Sequence, residues 1–332
     1  MRNQLKLLGA VALAAVTSFA AMTAGEAQTR LRIAGNFPDE HTATKAIALF
    51  KEEVEKLTNN ELQVDTFPAM QLGGAQENVD QVRSGAIFGL VASISYFTRS
   101  VPEFEALSLP FQFDTRETAF KVIDGEVGGI VNEKLAERGF LSLGYGENGY
   151  RHLTNNVRPV ATIKDFEGLK IRLQPNEVHL ATFKALGANP VAMDIKELYS
   201  ALQQGVLDGQ ENPYSTIATR RFAEVQKYIS GTGHFFDYIT VVANKRAFEK
   251  LSPEHQEAVR TAMTTALKWQ RAEEARRDLE WRDKLVSEGM QFNEVSAEAR
   301  AEMREATKQI AEDLKGRIGA DILDRIAAEA AK

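Results

Sequence analysis

The stretch LRIAGNFPDEHTATKAIALFKEEVEKLTNNELQVDTFP, residues 31–68, decides the fold prediction. It opens with a short apolar strand at residues 31–34, and residues 41–57 then carry apolar side chains at helical spacing. A second strand follows at residues 62–67 and ends at Pro68, which cannot continue a sheet. Strand, helix and strand in this order predict a βαβ unit.

The same alternation continues along the chain and favours an α/β fold, in which helices cover a sheet. A length of 332 residues, at roughly 150 residues per domain, predicts two lobes with a cleft between them. The further predicted helices are residues 76–83, 117–138, 178–186 and 195–204, and the further predicted strands are residues 86–92, 140–145, 150–155, 169–173 and 238–243.

A long helix is predicted near the carboxyl end. Ser252 and Pro253 have the order of an N-cap and a first helical residue, and nothing breaks the pattern before Gly289, which gives roughly 54 Å of helix. Its first third has a core-facing apolar stripe, whereas residues 270–278 are almost wholly polar. We expect this helix to cross both lobes, with its polar part bridging them through solvent. A terminal helical hairpin on one lobe is the alternative.

Composition and motifs exclude several classes of protein. A net charge of -6 argues against nucleic acid as a partner. The chain has no cysteine, which excludes disulfides, thiolate metal sites, a cysteine nucleophile and a lipid-modified cysteine. The five histidines show no metal-ligand spacing, and no phosphate-binding loop, nucleophile elbow or zinc-protease motif is present. We therefore expect no metal, no cofactor and no enzymatic activity.

The amino-terminal residues 1–27 have the pattern of a secretory signal peptide. Arg2 and Lys6 precede an apolar run at residues 7–22, and small residues follow up to Ala27, where cleavage is expected. A transmembrane anchor is the alternative, but the run is shorter than the roughly 20 residues that a span needs. The sequence therefore predicts export to the periplasm as a soluble protein without a lipid anchor.

Two arginines are candidates for binding an anion. Around Arg172 the apolar residues alternate, so that Arg172 and Gln174 point to the same face of a predicted strand. Arg151 shares a face with Leu153, which is unusual for a guanidinium unless an anion meets it. A guanidinium matches a carboxylate with two parallel hydrogen bonds. On periodicity alone, a surface or salt-bridged arginine is the favoured interpretation of each.

Two asparagines have a structural and a functional interpretation. Asn212 precedes Pro213 and could simply cap a helix with proline in its first position. Asn36 follows the first strand and could be a turn residue. Open α/β sheets nevertheless bind ligands at the ends of their strands.

Four stretches resemble the DctP-type solute-binding proteins of tripartite ATP-independent periplasmic (TRAP) transporters, in the same order and spacing. They are Phe67-Pro68 with Gln71-Leu72-Gly73, Glu147-Asn148-Gly149-Tyr150-Arg151, Gly168-Leu169-Lys170-Ile171-Arg172, and Asp208-Gly209-Gln210-Glu211-Asn212-Pro213. The resemblance implies a two-lobed, type II-like periplasmic binding protein crossed by a long helix. It also implies a protein that closes on an organic acid and hands it to the TRAP permease subunits. We expect this protein to be a monomer.

The resemblance implies roles for four residues. Arg172 would clamp the ligand carboxylate, Arg151 would be a second arginine nearby, and Asn212 would donate a hydrogen bond to the same carboxylate. Asn36 would touch the ligand from the loop after the first strand. By the same comparison, lobe I would hold residues 28–148 and 238–277, and lobe II residues 149–237 and 278–332.

The sequence leaves two classes of organic acid as candidate ligands. If Arg151 and Arg172 hold one carboxylate, no cation is left for a second, and a sugar acid or hydroxy acid is favoured over a C4-dicarboxylate. Its hydroxyl groups would meet Asn36, Ser93, Gln174 and Glu211. A ligand-sensing domain of a membrane receptor would have the same fold and cleft, and only its partner would differ.

Overall fold

The computed structural model describes residues 28–331. The predicted signal peptide at residues 1–27 lies outside the described residues. Within residues 28–331, no helix is both long enough and apolar enough to cross a membrane.

Strands and helices alternate along the described chain, as the α/β prediction requires. The strands are β1 (Thr29–Gly35), β2 (Leu62–Phe67), β3 (Gly89–Ser93), β4 (Phe140–Asn155), β5 (Lys170–Leu173), β6 (Asn189–Ala192), β7 (Gly209–Asn212), β8 (Tyr228–Asn244) and β9 (Gln291–Glu294). The helices are α1 (Thr42–Leu57), α2 (Ala75–Ser84), α3 (Arg116–Asp124), α4 (Glu126–Glu137), α5 (Glu177–Ala185), α6 (Ile195–Gln203), α7 (Tyr214–Thr219), α8 (Lys245–Glu249), α9 (Pro253–Ser287), α10 (Ala297–Thr307), α11 (Gln309–Ile318) and α12 (Asp321–Ala331).

The sheet consists of two parallel groups joined by two long strands. Its order is β2-β1-β3-β8-β4-β7-β5-β6, and β9 pairs with β8. Strands β1, β2 and β3 are parallel, as are β5, β6 and β7. The antiparallel pair of β4 and β8 connects the groups and shifts register at three places. The predicted strands at residues 140–145 and 150–155 are therefore one strand, because β8 pairs along both of them.

The predicted helix at residues 117–138 is instead two helices. α3 ends and α4 begins at Gly125, whose backbone is extended. The two helices approach so closely that a Cβ added at Gly128 would lie 1.8 Å from the carbonyl oxygen of Ile123. Glycine at this position allows the sharp change of direction.

The long helix α9 is confirmed, since it runs without a break from Pro253 to Ser287. Its apolar stripe, which includes Val259 and Met263, is buried in the core that also contains Phe50 of α1. The expectation that its polar part bridges through solvent holds for Ala272 and Arg276, which are exposed, but not for Gln270 and Glu274, which are buried.

Two polar side chains of α9 are buried because residues of α1 and β4 provide hydrogen-bond partners. Gln270 Nε2 donates to Thr42 Oγ1 at 2.9 Å and to the Glu147 carbonyl oxygen at 2.7 Å. The Thr42 hydroxyl donates to Glu274 Oε2, and Glu274 is 2% exposed. A sequence pattern counts both residues as polar and cannot show these contacts with α1 and β4.

The buried Glu274 predicts a pH dependence of stability. Burial raises its pKa from 4.5 to about 7, against hydrogen bonds from Ser215 and Thr42 that lower it. The folded state therefore holds a proton that the unfolded chain loses, so that the free energy of unfolding falls as pH rises from about 4.5 to about 7. Glu274→Gln should remove about 2–3 kcal/mol of this decrease.

Urea unfolding at pH 5 and pH 8 measures this effect. Glu257→Gln, an exposed glutamate on the same helix, is the matched control and should keep the wild-type difference between the two pH values. If Glu274→Gln and wild type lose the same stability between pH 5 and pH 8, Glu274 is not the proton-binding group.

Candidate functional site

A small cavity lies between strand ends of the two parallel groups, and we call it the central cavity. It contains about 10 Å³ of free space, the room of about one water molecule, so a larger ligand enters only when the walls move apart. Its walls are mostly polar side chains, together with a few apolar and aromatic ones: Asn36, Phe37, Ser93, Tyr96, Asn148, Gln174, Ile195, Asn212, Thr216 and Arg220.

The ends of four strands bring these polar groups together. Asn36 directly follows β1, Ser93 is the last residue of β3, Gln174 directly follows β5, and Asn212 is the last residue of β7. Strands β1 and β3 are parallel, as are β5 and β7, so the carboxyl ends of each pair lie at the same edge. This is the edge at which open α/β sheets bind ligands.

Arg172 is a fully buried arginine with an unfilled donor. It lies on β5, where its Nε donates to the Met193 carbonyl oxygen at 2.8 Å and its Nη2 donates to the Tyr96 hydroxyl at 3.2 Å. Its Nη1 has no partner, and no carboxylate of residues 28–331 lies within 4.0 Å of the guanidinium. Tyr96 lines the central cavity, so Arg172 places an uncompensated positive charge beside it.

Arg151 is fully buried too, but it has anionic partners. Its Nε and Nη2 donate to the two carboxylate oxygens of Glu211 at 2.5 and 2.8 Å, and its Nη1 donates to Asp237 Oδ2 at 2.6 Å. The Arg151 charge and a hydrogen bond from His234 hold the pKa of Glu211 well below its usual range despite burial. Arg151 is therefore the centre of a buried ion-pair cluster.

This cluster reaches the central cavity through its hydrogen-bond partners. Arg151 Nη2 donates to Asn212 Oδ1 at 3.0 Å. Asp237 accepts from Ser93 Oγ and from Asn148 Nδ2, both at 2.7 Å. The three donors that surround Asp237 stabilise its charged form, while burial raises its pKa. The ion-pair cluster thus orients three of the side chains that line the cavity.

The candidate residues from the sequence divide into two sets. Asn36, Ser93, Gln174 and Asn212 line the central cavity, and Arg172 lies behind Tyr96. Arg151 and Glu211 form a salt bridge with each other. The contacts of Arg151 in this structure are therefore those of a salt-bridged arginine and not those of a free anion-binding one. Contact of any of the seven with a ligand stays a prediction. Asn212 is not the N-cap of α7, because Pro213 occupies that position.

Sequence reasoning missed several residues of the cavity wall, above all Arg220. It follows α7 and donates from Nη2 to the Asn36 carbonyl oxygen, while its Nε is buried without a partner. The neighbouring Arg221 is exposed and pairs with Glu224 at 2.8 Å. Nothing in two adjacent arginines tells which one points inward, so no sequence signal singled out Arg220.

Unpartnered polar atoms concentrate around the central cavity. Both polar atoms of the Asn36 side chain, Oε1 of Gln174, Nη1 of Arg172 and Nε of Arg220 are buried without a protein partner. Buried polar atoms in native proteins nearly always have partners, so this concentration indicates a site for a polar ligand. In residues 28–331 no three or more histidine or acidic side chains are arranged to hold a metal ion.

Comparison with known proteins identifies the family. The sequence profile of DctP, bacterial extracellular solute-binding protein family 7, matches residues 33–316. The chain belongs to this family. Family 7 proteins are transport components that act outside the cytoplasm, and this chain is a solute-binding protein of the TRAP type with their two-lobed fold.

Three family 7 relatives show how similar the chain is to proteins with described ligands. It is 37% identical over 232 residues to the 2,3-diketo-L-gulonate-binding periplasmic protein YiaO of Escherichia coli, covering 70% of each chain. It is 33% identical over 293 residues to the C4-dicarboxylate-binding periplasmic protein DctP of Rhodobacter capsulatus, covering 87% of each. The structure of the sugar acid binding protein DctPAm from Advenella mimigardefordensis, in complex with galactonate, matches with a TM-score of 0.89 at 32% identity over 91% of this chain and 97% of that one.

Proposed function

We propose that this protein captures a sugar acid or hydroxy acid in the central cavity, closes on it, and delivers it unchanged to the membrane subunits of a TRAP permease. The observation that carries the proposal is Arg172, which is buried beside the cavity with a free Nη1 and no carboxylate partner within residues 28–331. A desolvated guanidinium of this kind is stabilised when a carboxylate pairs with it.

The remaining wall fits hydroxyl groups. Asn36 and Gln174 offer unpartnered amide atoms, and Ser93, Asn148 and Thr216 offer further polar groups. The galactonate-bound relative and the 2,3-diketo-L-gulonate-binding relative point in the same direction.

A C4-dicarboxylate is the second candidate, and the Rhodobacter capsulatus relative favours it. Asp237 argues against it, since its carboxylate lies directly behind Ser93 and Asn148 of the cavity wall. A second ligand carboxylate at this part of the wall would meet a like charge. A permease gene beside the gene of this protein would support transport, whereas a sensor kinase gene would support the sensing role.

Further proposals concern the location, the oligomeric state and the lobes of the protein. Residues 1–27 direct export to the periplasm, where the protein acts as a monomer, and the absence of cysteine leaves no residue for a lipid anchor at the new amino terminus. The lobes comprise residues 28–148 with 238–277, and 149–237 with 278–332. These boundaries fall within β4, β8 and α9, so closure would bend these three elements.

A thermal-shift screen of organic acids tests the proposed function. Galactonate, or another hydroxylated monocarboxylate, at about 1,000 times its dissociation constant should add roughly 4 kcal/mol and raise the melting temperature by several degrees. Galactitol, which lacks the carboxylate, should cause no shift. Mass spectrometry should recover the acid unchanged.

Two outcomes would contradict the proposal. If no acid in a broad library raises the melting temperature, the cavity is not a carboxylate site. If the stabilising acid is converted during incubation, the protein is an enzyme and not a transport receptor.

A further inference from the structure

Arg220 lies at the boundary between the central cavity and its surroundings. It lines the central cavity and also a more open outer pocket, whose wall includes Pro38, Ile195 and Tyr199. Its Nη2 donates to the carbonyl oxygen of Asn36, which is 184 positions away in sequence. Arg220 thus spans the mouth of the cavity, from the end of α7 to the loop after β1.

The charge of Arg220 has no counter-ion within contact distance. No carboxylate of the described chain lies within 4.0 Å of its guanidinium, and its Nε is buried without a partner. Burial, and to a smaller extent repulsion from Arg172, lowers its pKa to about 10, whereas Tyr96 and Asp194 raise it, so Arg220 stays charged at neutral pH. Two uncompensated arginines, Arg172 and Arg220, therefore act on one small cavity.

Both arginines are close to Tyr96. Arg172 donates to the Tyr96 hydroxyl, and Arg220 lines the same cavity as Tyr96 and is influenced electrostatically by it. A carboxylate has two oxygens with about four acceptor positions, so it can accept hydrogen bonds from two guanidinium groups at once. The carboxylate of Asp237 disfavours a second ligand anion at the wall formed by Ser93 and Asn148.

We propose that Arg220 is the second arginine of the carboxylate site: it contacts the same ligand carboxylate as Arg172 and, through the Asn36 carbonyl, holds the mouth of the loaded cavity closed. This inference rests on the proposed function and specifies it further. The ligand is a monocarboxylate held at its charged end by Arg172 and Arg220, and the remainder of the ligand is neutral. Arg151 serves this site as a positioning residue.

Calorimetric titration with D-galactonate as the probe tests the role of Arg220. Arg220→Gln should weaken binding about 20- to 100-fold, because a charge-assisted contact is lost. Arg220→Lys should fall between Arg220→Gln and wild type, since a point charge replaces a planar fork. The matched control is Arg221→Gln, which removes the same charge one residue later and should change the affinity less than about threefold, as expected for an exposed pair.

An NMR measurement distinguishes direct contact between Arg220 and the ligand from a role of Arg220 only in closing the cavity. In ¹⁵N-labelled protein, the Nε–Hε signal of Arg220 is the one that disappears in Arg220→Gln. This signal should shift when galactonate is added to wild type, because Nε has no protein partner. An unchanged Arg220 signal in saturated wild-type protein would show that Arg220 does not touch the carboxylate. Affinity of Arg220→Gln within threefold of wild type would also overturn the inference.

A failure of the proposed function gives a different result from a failure of the inference about Arg220. If wild type binds galactonate and Arg220→Gln binds it equally well, only the role of Arg220 is wrong. If wild type binds succinate and no monocarboxylate, the part of the ligand beyond the first carboxylate is not neutral. Both the inference about Arg220 and the preference for sugar acids are then wrong. Thermal unfolding of Arg220→Gln near the wild-type temperature shows that a loss of affinity is not a loss of fold.

Discussion

Arg172→Ala is expected to weaken binding of the ligand acid by about 2–5 kcal/mol, the cost of truncating one partner of a buried charge pair. The ligand carboxylate would lose its partner in a cavity from which water is largely excluded. Arg172→Lys should restore only part of the affinity, because an ammonium cannot reproduce two parallel hydrogen bonds. Calorimetric titration with the acid selected by the thermal-shift screen measures both losses.

The fold of the Arg172 variant should survive. Arg172 is buried without a carboxylate partner within residues 28–331, so its removal leaves no buried anion uncompensated. Lys170→Ala, an exposed cation on the same strand, is the matched control and should bind with nearly wild-type affinity. Near-wild-type affinity of Arg172→Ala would exclude this arginine as the carboxylate partner.

Arg151→Ala is expected to have the opposite profile, with a loss of stability of about 3–5 kcal/mol. The substitution leaves Glu211 and Asp237 buried and without their cation, and both carboxylates are almost fully inaccessible. Urea unfolding at pH 7 measures this loss. The affinity of any folded fraction should fall less than in Arg172→Ala, because the three nitrogens of Arg151 already have protein acceptors.

A double variant tests whether the loss of stability comes from the unpaired carboxylate of Glu211. Arg151→Ala combined with Glu211→Gln should lose less stability than the two single variants together, since the buried charge that one substitution leaves behind is removed by the other. If Arg151→Ala keeps wild-type stability and loses affinity as Arg172→Ala does, Arg151 contacts the ligand directly.

Local patterns predicted much of what positions the site. The alternation of Leu169, Ile171 and Leu173 placed these side chains in one core, and all three are buried in a single cluster. The order of strands and helices placed Asn36 at a strand end, where ligands bind in open α/β sheets. Both inferences depend only on neighbours in sequence.

Contacts between distant parts of the chain were not predictable in the same way. The ion pair of Arg151 joins β4 to Glu211 on β7 and to Asp237 on β8, which are 60 and 86 positions away. The inward direction of Arg220 depends on the path of the chain after α7, where Arg221 adopts a positive φ of 59°. Neither the strand register nor this turn leaves a periodic signal in the sequence.

The crystal structure of the protein in complex with the acid from the screen tests the central claim most directly. The account predicts electron density for the acid in the central cavity, with a carboxylate oxygen within hydrogen-bonding distance of Arg172 Nη1, beside the Tyr96 hydroxyl. An acid bound in another pocket, or one whose carboxylate points away from Arg172, would contradict the account.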